Sequence, residues 1–208
     1  MKYTRRKFRV DASVATGCLV LVTALVGCSV GRPSVPAETA DIHAVPTNLK
    51  SVVFQAIRLP VAAQGPHVDD GTVATGFNRS PVGAGLAAIQ ATVRVSVATD
   101  RQYALIGQRM VAPGPGRDAW AVARAQISIS AAATAPPKIL GYRITGYTRD
   151  RAETEIFALQ PDSSMTRHTA MVVWLDEDWK LSMPDGPHSP LVSAVTALPA
   201  DAITLVMR

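Results

Sequence analysis

The chain has 208 residues and a formal net charge of +5, from 21 Lys and Arg against 16 Asp and Glu. That length suits one domain with extensions. The charge misleads, because five basic residues and one acid precede Cys28, leaving 16 basic and 15 acidic residues after it and no electrostatic footprint for nucleic acid.

The chain opens with Lys2, Arg5, Arg6, Lys7 and Arg9, followed by an uncharged, Val-, Leu- and Ala-rich run from Ala12 to Gly27. A basic segment before a short apolar one is the pattern of a secretory signal. The apolar run, about 15 residues, falls short of the roughly 20 that cross a bilayer. An uncleaved transmembrane anchor is the competing reading. Thr4-Arg5-Arg6-Lys7-Phe8 resembles the twin-arginine export motif, and Arg5 and Arg6 would be its core. Leu25-Val26-Gly27-Cys28 resembles a bacterial lipobox. The small Gly27 admits a peptidase to the Gly27–Cys28 bond, and the Cys28 thiol takes a diacylglyceryl group through a thioether. Cleavage there removes Cys18 with the first 27 of 208 residues and leaves 181. The mature chain then has one cysteine, itself lipidated, so its fold rests on its core rather than on a disulfide. The expected location is the extracytoplasmic face of the cell membrane.

Residues 28–49 contain Pro33, Pro36 and Pro46 and lack apolar periodicity, as expected of a flexible tether. A single domain is expected over 50–208. Val52, Phe54 and Leu59 predict a first strand ended by Pro60, and a short strand is expected over Thr72–Phe77. Ser80-Pro81 is a helix start, with Ser as N-cap and Pro in the first turn. Val82, Leu86, Ile89, Val93 and Val97 then form one apolar stripe on a helix of about 18 residues. A second helix is predicted near 101–111, with Tyr103, Ile106 and Met110 on one side. Ala112-Pro113-Gly114-Pro115-Gly116 breaks it, and a third helix is expected over 118–130 with Trp120, Ala123 and Ile127 in phase.

The period then changes to two. Strands are predicted over Ile139–Tyr147, Thr154–Gln160 and Thr166–Leu175, with Trp179–Met183 returning after the turn at Asp176-Glu177-Asp178. His168, Ala170, Val172 and Trp174 share one face. A short helix is expected between Ser189 and Leu205. Helices followed by an antiparallel meander make an α+β fold, with helices packed on a curved sheet and a groove between them.

No G-x-S-x-G elbow, H-E-x-x-H or C-x-x-C occurs. Gly114-Pro115-Gly116-Arg117-Asp118 lacks the Gly-Lys-Ser/Thr ending of a phosphate loop and reads as a rigid interhelix loop. His43, His67, His168 and His188 are far apart, so no metal or other cofactor is expected. Asp176-Glu177-Asp178 does not fit a calcium loop. His168 and Trp174 are the candidates to face the groove, although Trp120, Trp174 and Trp179 read first as packing residues.

Several stretches carry a resemblance: Leu59-Pro60, Gly71 to Phe77, Ser80-Pro81 opening an Ala-rich helix, and Ala112 to Ala119. Together they resemble an uncharacterised domain of actinobacterial exported proteins. The Val172-Val173-Trp174 to Asp178-Trp179-Lys180-Leu181 hairpin is similar to the last strands of nuclear-transport-factor-like cone domains, including those of type IV secretion and conjugation assembly proteins. The resemblance spans roughly residues 50–185 and brings no catalytic residue. It implies an interaction or scaffold module that is not an enzyme, an accessory of conjugative transfer or secretion whose partners are proteins of a membrane assembly. The alternative is a carrier, or an enzyme, using the cone groove for a small apolar ligand. A closed, packed groove is the expectation that goes with the scaffold reading.

Overall fold

The computed structural model describes residues 40–186 and 191–207. Arg5, Arg6, Gly27, Cys28 and His188 lie outside them. No helix among the described residues is long and apolar enough to cross a membrane.

The chain first builds two small antiparallel ribbons. β1 (Lys50–Phe54) and β2 (Ile57–Val61) form a hairpin, and β3 (Val68–Asp69) pairs with β4 (Ala74–Thr75). The hairpin turns at Gln55 and Ala56, both at positive φ (48° and 67°), as a two-residue primed turn requires. Sequence reading placed one strand here because no Gly or Asn marks that turn. Pro60 sits within β2 rather than after it. Residues 42–49, read as the end of the tether, meet the folded body: Ile42, Ala44 and Leu49 pack against the core, and the Ala63 N–H donates to the Thr47 carbonyl at 2.8 Å.

α1 (Pro81–Val97) begins as expected, with the Ser80 hydroxyl accepting from the Gly83 N–H. It is buried almost all round, from Pro81 to Val95, rather than along one stripe. The cause is tertiary: one side lies on the sheet, and β2, β4 and the next helix cover the rest. Gly85 is a close-approach site, where a Cβ would lie 2.3 Å from the Tyr142 ring. Arg94 is buried at 1 % exposure because it is fully partnered. It donates to Gln90, to the Thr72 carbonyl and to Asp69 at 2.8 Å, and it stacks 4.5 Å from the Phe54 ring.

α2 (Tyr103–Met110) turns Ile106 and Met110 inward. α3 (Pro115–Arg124) starts earlier than the period suggested and ends earlier. Pro115 takes the first turn after Gly114 (φ 151°), so the glycine-rich stretch is half loop and half helix. Ile127 lies beyond the helix and is 57 % exposed.

An open antiparallel sheet follows. Its order is β10-β5-β6-β7-β8, from β5 (Lys138–Tyr147), β6 (Arg151–Leu159), β7 (Met165–Leu175), β8 (Asp178–Ser182) and β10 (Ile203–Thr204), with β9 (Val192–Val195) also on β7. With three helices beside it, the fold is α+β. Bulges interrupt the β5–β6 register between Ile139 and Gly141 and between Ile144 and Gly146, which bends these strands. The tail expected to hold a helix supplies the short edge strands β9 and β10 instead. β8 and β9 lie along the same edge of β7: Met171 pairs with Ser182, and His168 pairs with Val192. The chain therefore leaves the edge after Ser182 and rejoins it at Val192. Ala170 of β7 stands opposite the break, and the Thr169 N–H already reaches the Leu191 carbonyl at 2.8 Å.

Between α1 and the sheet lie Leu86, Ile89 and Val93 from the helix and Tyr142, Ile144, Ile156, Ala170, Val172 and Leu181 from the strands, all buried. Val172 meets this expectation at 0 % exposure, whereas Trp174 is only partly buried.

Candidate functional site

α3 is held away from the sheet by three attachments. At its start, the Gly116 N–H donates to the Asp185 carboxylate at 3.1 Å, and the Met183 and Pro184 carbonyls lie so close that a Cβ on Gly116 would stand 2.5 and 2.6 Å from them. In its middle, Trp120 lies over Gly107 of α2 and meets Tyr103 edge-on, with ring centroids 6.4 Å apart. At its end, Arg124 donates to the Ala98 carbonyl at 2.7 Å and to Asp100 at 3.0 Å, with its guanidinium 4.8 Å from the Tyr103 ring.

What these attachments leave is an open cavity of about 860 Å³ between α1, α3 and the β7–β8 edge. Thr92, Val95 and Ser96 of α1 form one wall. Gly116, Ala119, Trp120 and Ala123 form another; their spacing of three, one and three places them on one face of α3. Three of these four residues are Gly or Ala, and their small side chains make the room. The floor is β7 from Arg167 to Met171, with Leu181 and Ser182, and Met183, Pro184 and Leu191 close the side where the chain leaves and rejoins the sheet edge. The groove is thus not closed and packed, as the scaffold reading expected.

His168 is at this cavity. It stands opposite Ile156 on β6 and Val192 on β9, on the core-facing side of β7. Burial lowers its pKa below the usual 6.5, because the charged ring is poorly solvated there. Its side chain has no hydrogen-bond partner among the described residues. Arg167 also borders the cavity, but it alternates to the opposite face of β7, where Nη1 donates to Glu155 at 3.2 Å. Glu155 is buried there and also accepts from Arg143 at 2.6 Å. Thr92 carries a buried hydroxyl with no partner among the described residues, and Ser96 donates to the Thr92 carbonyl at 2.7 Å.

The two residues singled out in the sequence separate here. His168 lines the cavity. Trp174, on the same face of β7, packs edge-on against Trp179 with centroids 5.4 Å apart, and the Arg79 guanidinium lies 5.1 Å from its ring. That cluster is structural. The Asp178 carboxylate beside it accepts from the backbone N–H groups of Gly76, Phe77 and Trp179 at 2.8, 2.9 and 2.9 Å, and Trp179 Nε1 donates to the Asn78 carbonyl. Asp178 therefore fastens the loop before α1 to the β7–β8 hairpin, whose turn residues Asp176 and Glu177 have the positive φ of a tight turn. His67 sits apart, 3.0 Å from the Asn78 amide oxygen. Among the described residues no three His, Cys, Asp or Glu side chains converge as a metal site would need.

Sequence reasoning missed the α3 wall and the residues around the edge break. The sequence puts Trp120 and Ala123 in phase on the third helix, but it reads Gly116 as part of the loop before that helix and does not single out Ala119, so this wall is not assembled from it.

No curated protein and no solved structure matches the chain. Residues 29–200 match the family described as "Domain of unknown function (DUF8175)", and since the match covers most of the chain, the protein belongs to that family.

Proposed function

We propose that this protein is a lipid-anchored, extracytoplasmic domain that binds a small, largely apolar ligand in the cavity between α1, α3 and the β7–β8 edge. The observation that carries this reading is the cavity itself. Its volume of about 860 Å³ falls within the roughly 300–1,000 Å³ of small-molecule sites, and its walls are mostly apolar with few polar groups. A binding rather than a catalytic role is part of the proposal. The anchor rests on the lipobox at Gly27–Cys28, and the twin-arginine route on Arg5 and Arg6. A long helix laid across an antiparallel sheet supports the nuclear-transport-factor-like cone as the finer description of the fold.

A second reading keeps the module as a protein-interaction accessory of a membrane assembly, as the resemblance to conjugation and secretion proteins implies. The observation favouring it is the exposure of Leu191 (42 %), just before the edge strand β9, and of Val192 (50 %) at its start, beside the cavity.

The test is a titration of the full chain, purified in lipid nanodiscs, with the neutral fluorophore N-phenyl-1-naphthylamine. Trp120 lines the cavity, so a bound probe accepts its excitation energy. Saturable energy transfer above the empty-nanodisc baseline, lost in Ala119→Phe, is the expected result. Transfer equal in the two proteins would refute ligand binding in this cavity.

A further inference from the structure

Resting on the reading of the cavity as a ligand site, its lining narrows the class of ligand. Among the described residues that line it, His168 and Arg167 are the ionisable ones, and the Arg167 guanidinium is directed to Glu155 on the other face of β7. No Asp, Glu or Lys is among those described lining residues, and the Asp185 carboxylate at the start of α3 is taken up by the Gly116 N–H. We infer that the cavity selects an uncharged, largely apolar molecule bearing a carbonyl or hydroxyl oxygen that hydrogen-bonds to the His168 ring.

The argument is one of pairing. A carboxylate brought against Val95, Trp120, Ala170, Leu181 and Met183 would lose its water and meet only Arg167, whose guanidinium is already paired with Glu155. An ammonium group would meet no carboxylate among the described lining residues. A pure hydrocarbon would satisfy the walls but leave the His168 ring, already without a partner among the described residues, cut off from solvent by the ligand itself. A neutral imidazole offers one N–H donor and one acceptor nitrogen, which suits a carbonyl through the donor and a hydroxyl through either. Burial favours that neutral form at neutral pH. The apolar neighbours Ile156 and Val192, opposite His168 on both flanking strands, supply no competing partner.

Three naphthalenes of nearly equal size separate the possibilities: 2-acetylnaphthalene, 2-ethylnaphthalene and 2-naphthoate. Each is titrated into the full chain in nanodiscs at pH 7.5, followed by quenching of tryptophan fluorescence against empty nanodiscs. The ketone is expected to bind about three- to tenfold more tightly than the hydrocarbon, the span of one neutral hydrogen bond. The carboxylate is expected to bind most weakly. In His168→Leu, which keeps the site apolar and filled, the ketone and the hydrocarbon should agree within about twofold. If 2-naphthoate binds best, or if the ketone's advantage survives in His168→Leu, the inference is overturned while the ligand site stands. If none of the three binds saturably, the ligand-site reading itself fails.

Discussion

The Gly116 backbone N–H donates to the Asp185 carboxylate, joining the first turn of α3 to the segment that leaves the sheet edge after β8. This bond closes one end of the cavity, and the space behind it is tight enough that only glycine fits. Gly116→Ala would put a Cβ about 2.5 Å from the Met183 carbonyl oxygen, a contact that backbone must move to relieve. The expected cost is about 1–3 kcal/mol in chemical denaturation, as for other overpacked sites. Naphthylamine binding should weaken with it, because the wall moves. Unchanged stability and binding would show that the segment yields freely.

Ala119→Phe should behave differently. Ala119 is exposed on the open side of the cavity, so the larger ring displaces no packed neighbour and the denaturation midpoint should shift by no more than about 0.5 kcal/mol. The ring fills the space a ligand would take. Loss of probe binding with stability kept is the expected pair of outcomes. Retained binding would place the ligand elsewhere.

The pH dependence follows from His168. Its folded pKa lies below the unfolded value of 6.5, so the unfolded chain binds the proton more readily. The stability due to its neutral form is complete above 6.5 and is lost as pH falls from there to the folded pKa. Melting at pH 7.5 and 5.5 should therefore show a loss that is smaller in His168→Leu. An equal loss in the two proteins would assign the acid sensitivity to other groups.

Asp178 gathers three backbone N–H groups, those of Gly76, Phe77 and Trp179, at one carboxylate. Asp178→Ala leaves them without that acceptor, and about 1–3 kcal/mol of stability should go with it in chemical denaturation. A neutral result would mean that the loop before α1 is held by Trp179 and Asn78 alone. In the same assay Leu86→Ala or Ile89→Ala, at 0 % exposure between helix and sheet, should cost about 2–5 kcal/mol.

Much of this architecture was readable from the residues. Ser80-Pro81 and the spacing of Leu86, Ile89 and Val93 placed α1, and the period-two alternation through His168, Ala170, Val172 and Trp174 set one face of β7. Those signals are local. The edge break was not readable, because nothing in Met183 or Leu191 says that β8 and β9 will line up along one strand ten residues apart in sequence. The β1–β2 turn was hidden because Gln55 and Ala56 adopt a conformation usually marked by Gly or Asn. For the site, His168 was found by alternation. Gly116 was not, because a glycine between Pro115 and Arg117 reads as loop, and Ala119 and Ala123 were not, since small residues on a helix announce close packing as readily as empty space.

Anchoring has its own test. Cys28→Ser should yield unprocessed precursor or released protein on cell fractionation, because without the thiol no diacylglyceryl group is attached. Processing at the same bond with full membrane retention would rule out the lipid anchor.

Native mass spectrometry of the full chain, recovered from membranes and released gently from nanodiscs, tests ligand binding most directly. The account predicts a one-to-one adduct of a small uncharged molecule on the native protein and its absence from Ala119→Phe. The same bare mass for both proteins, with no adduct even after incubation with 2-acetylnaphthalene, would contradict it.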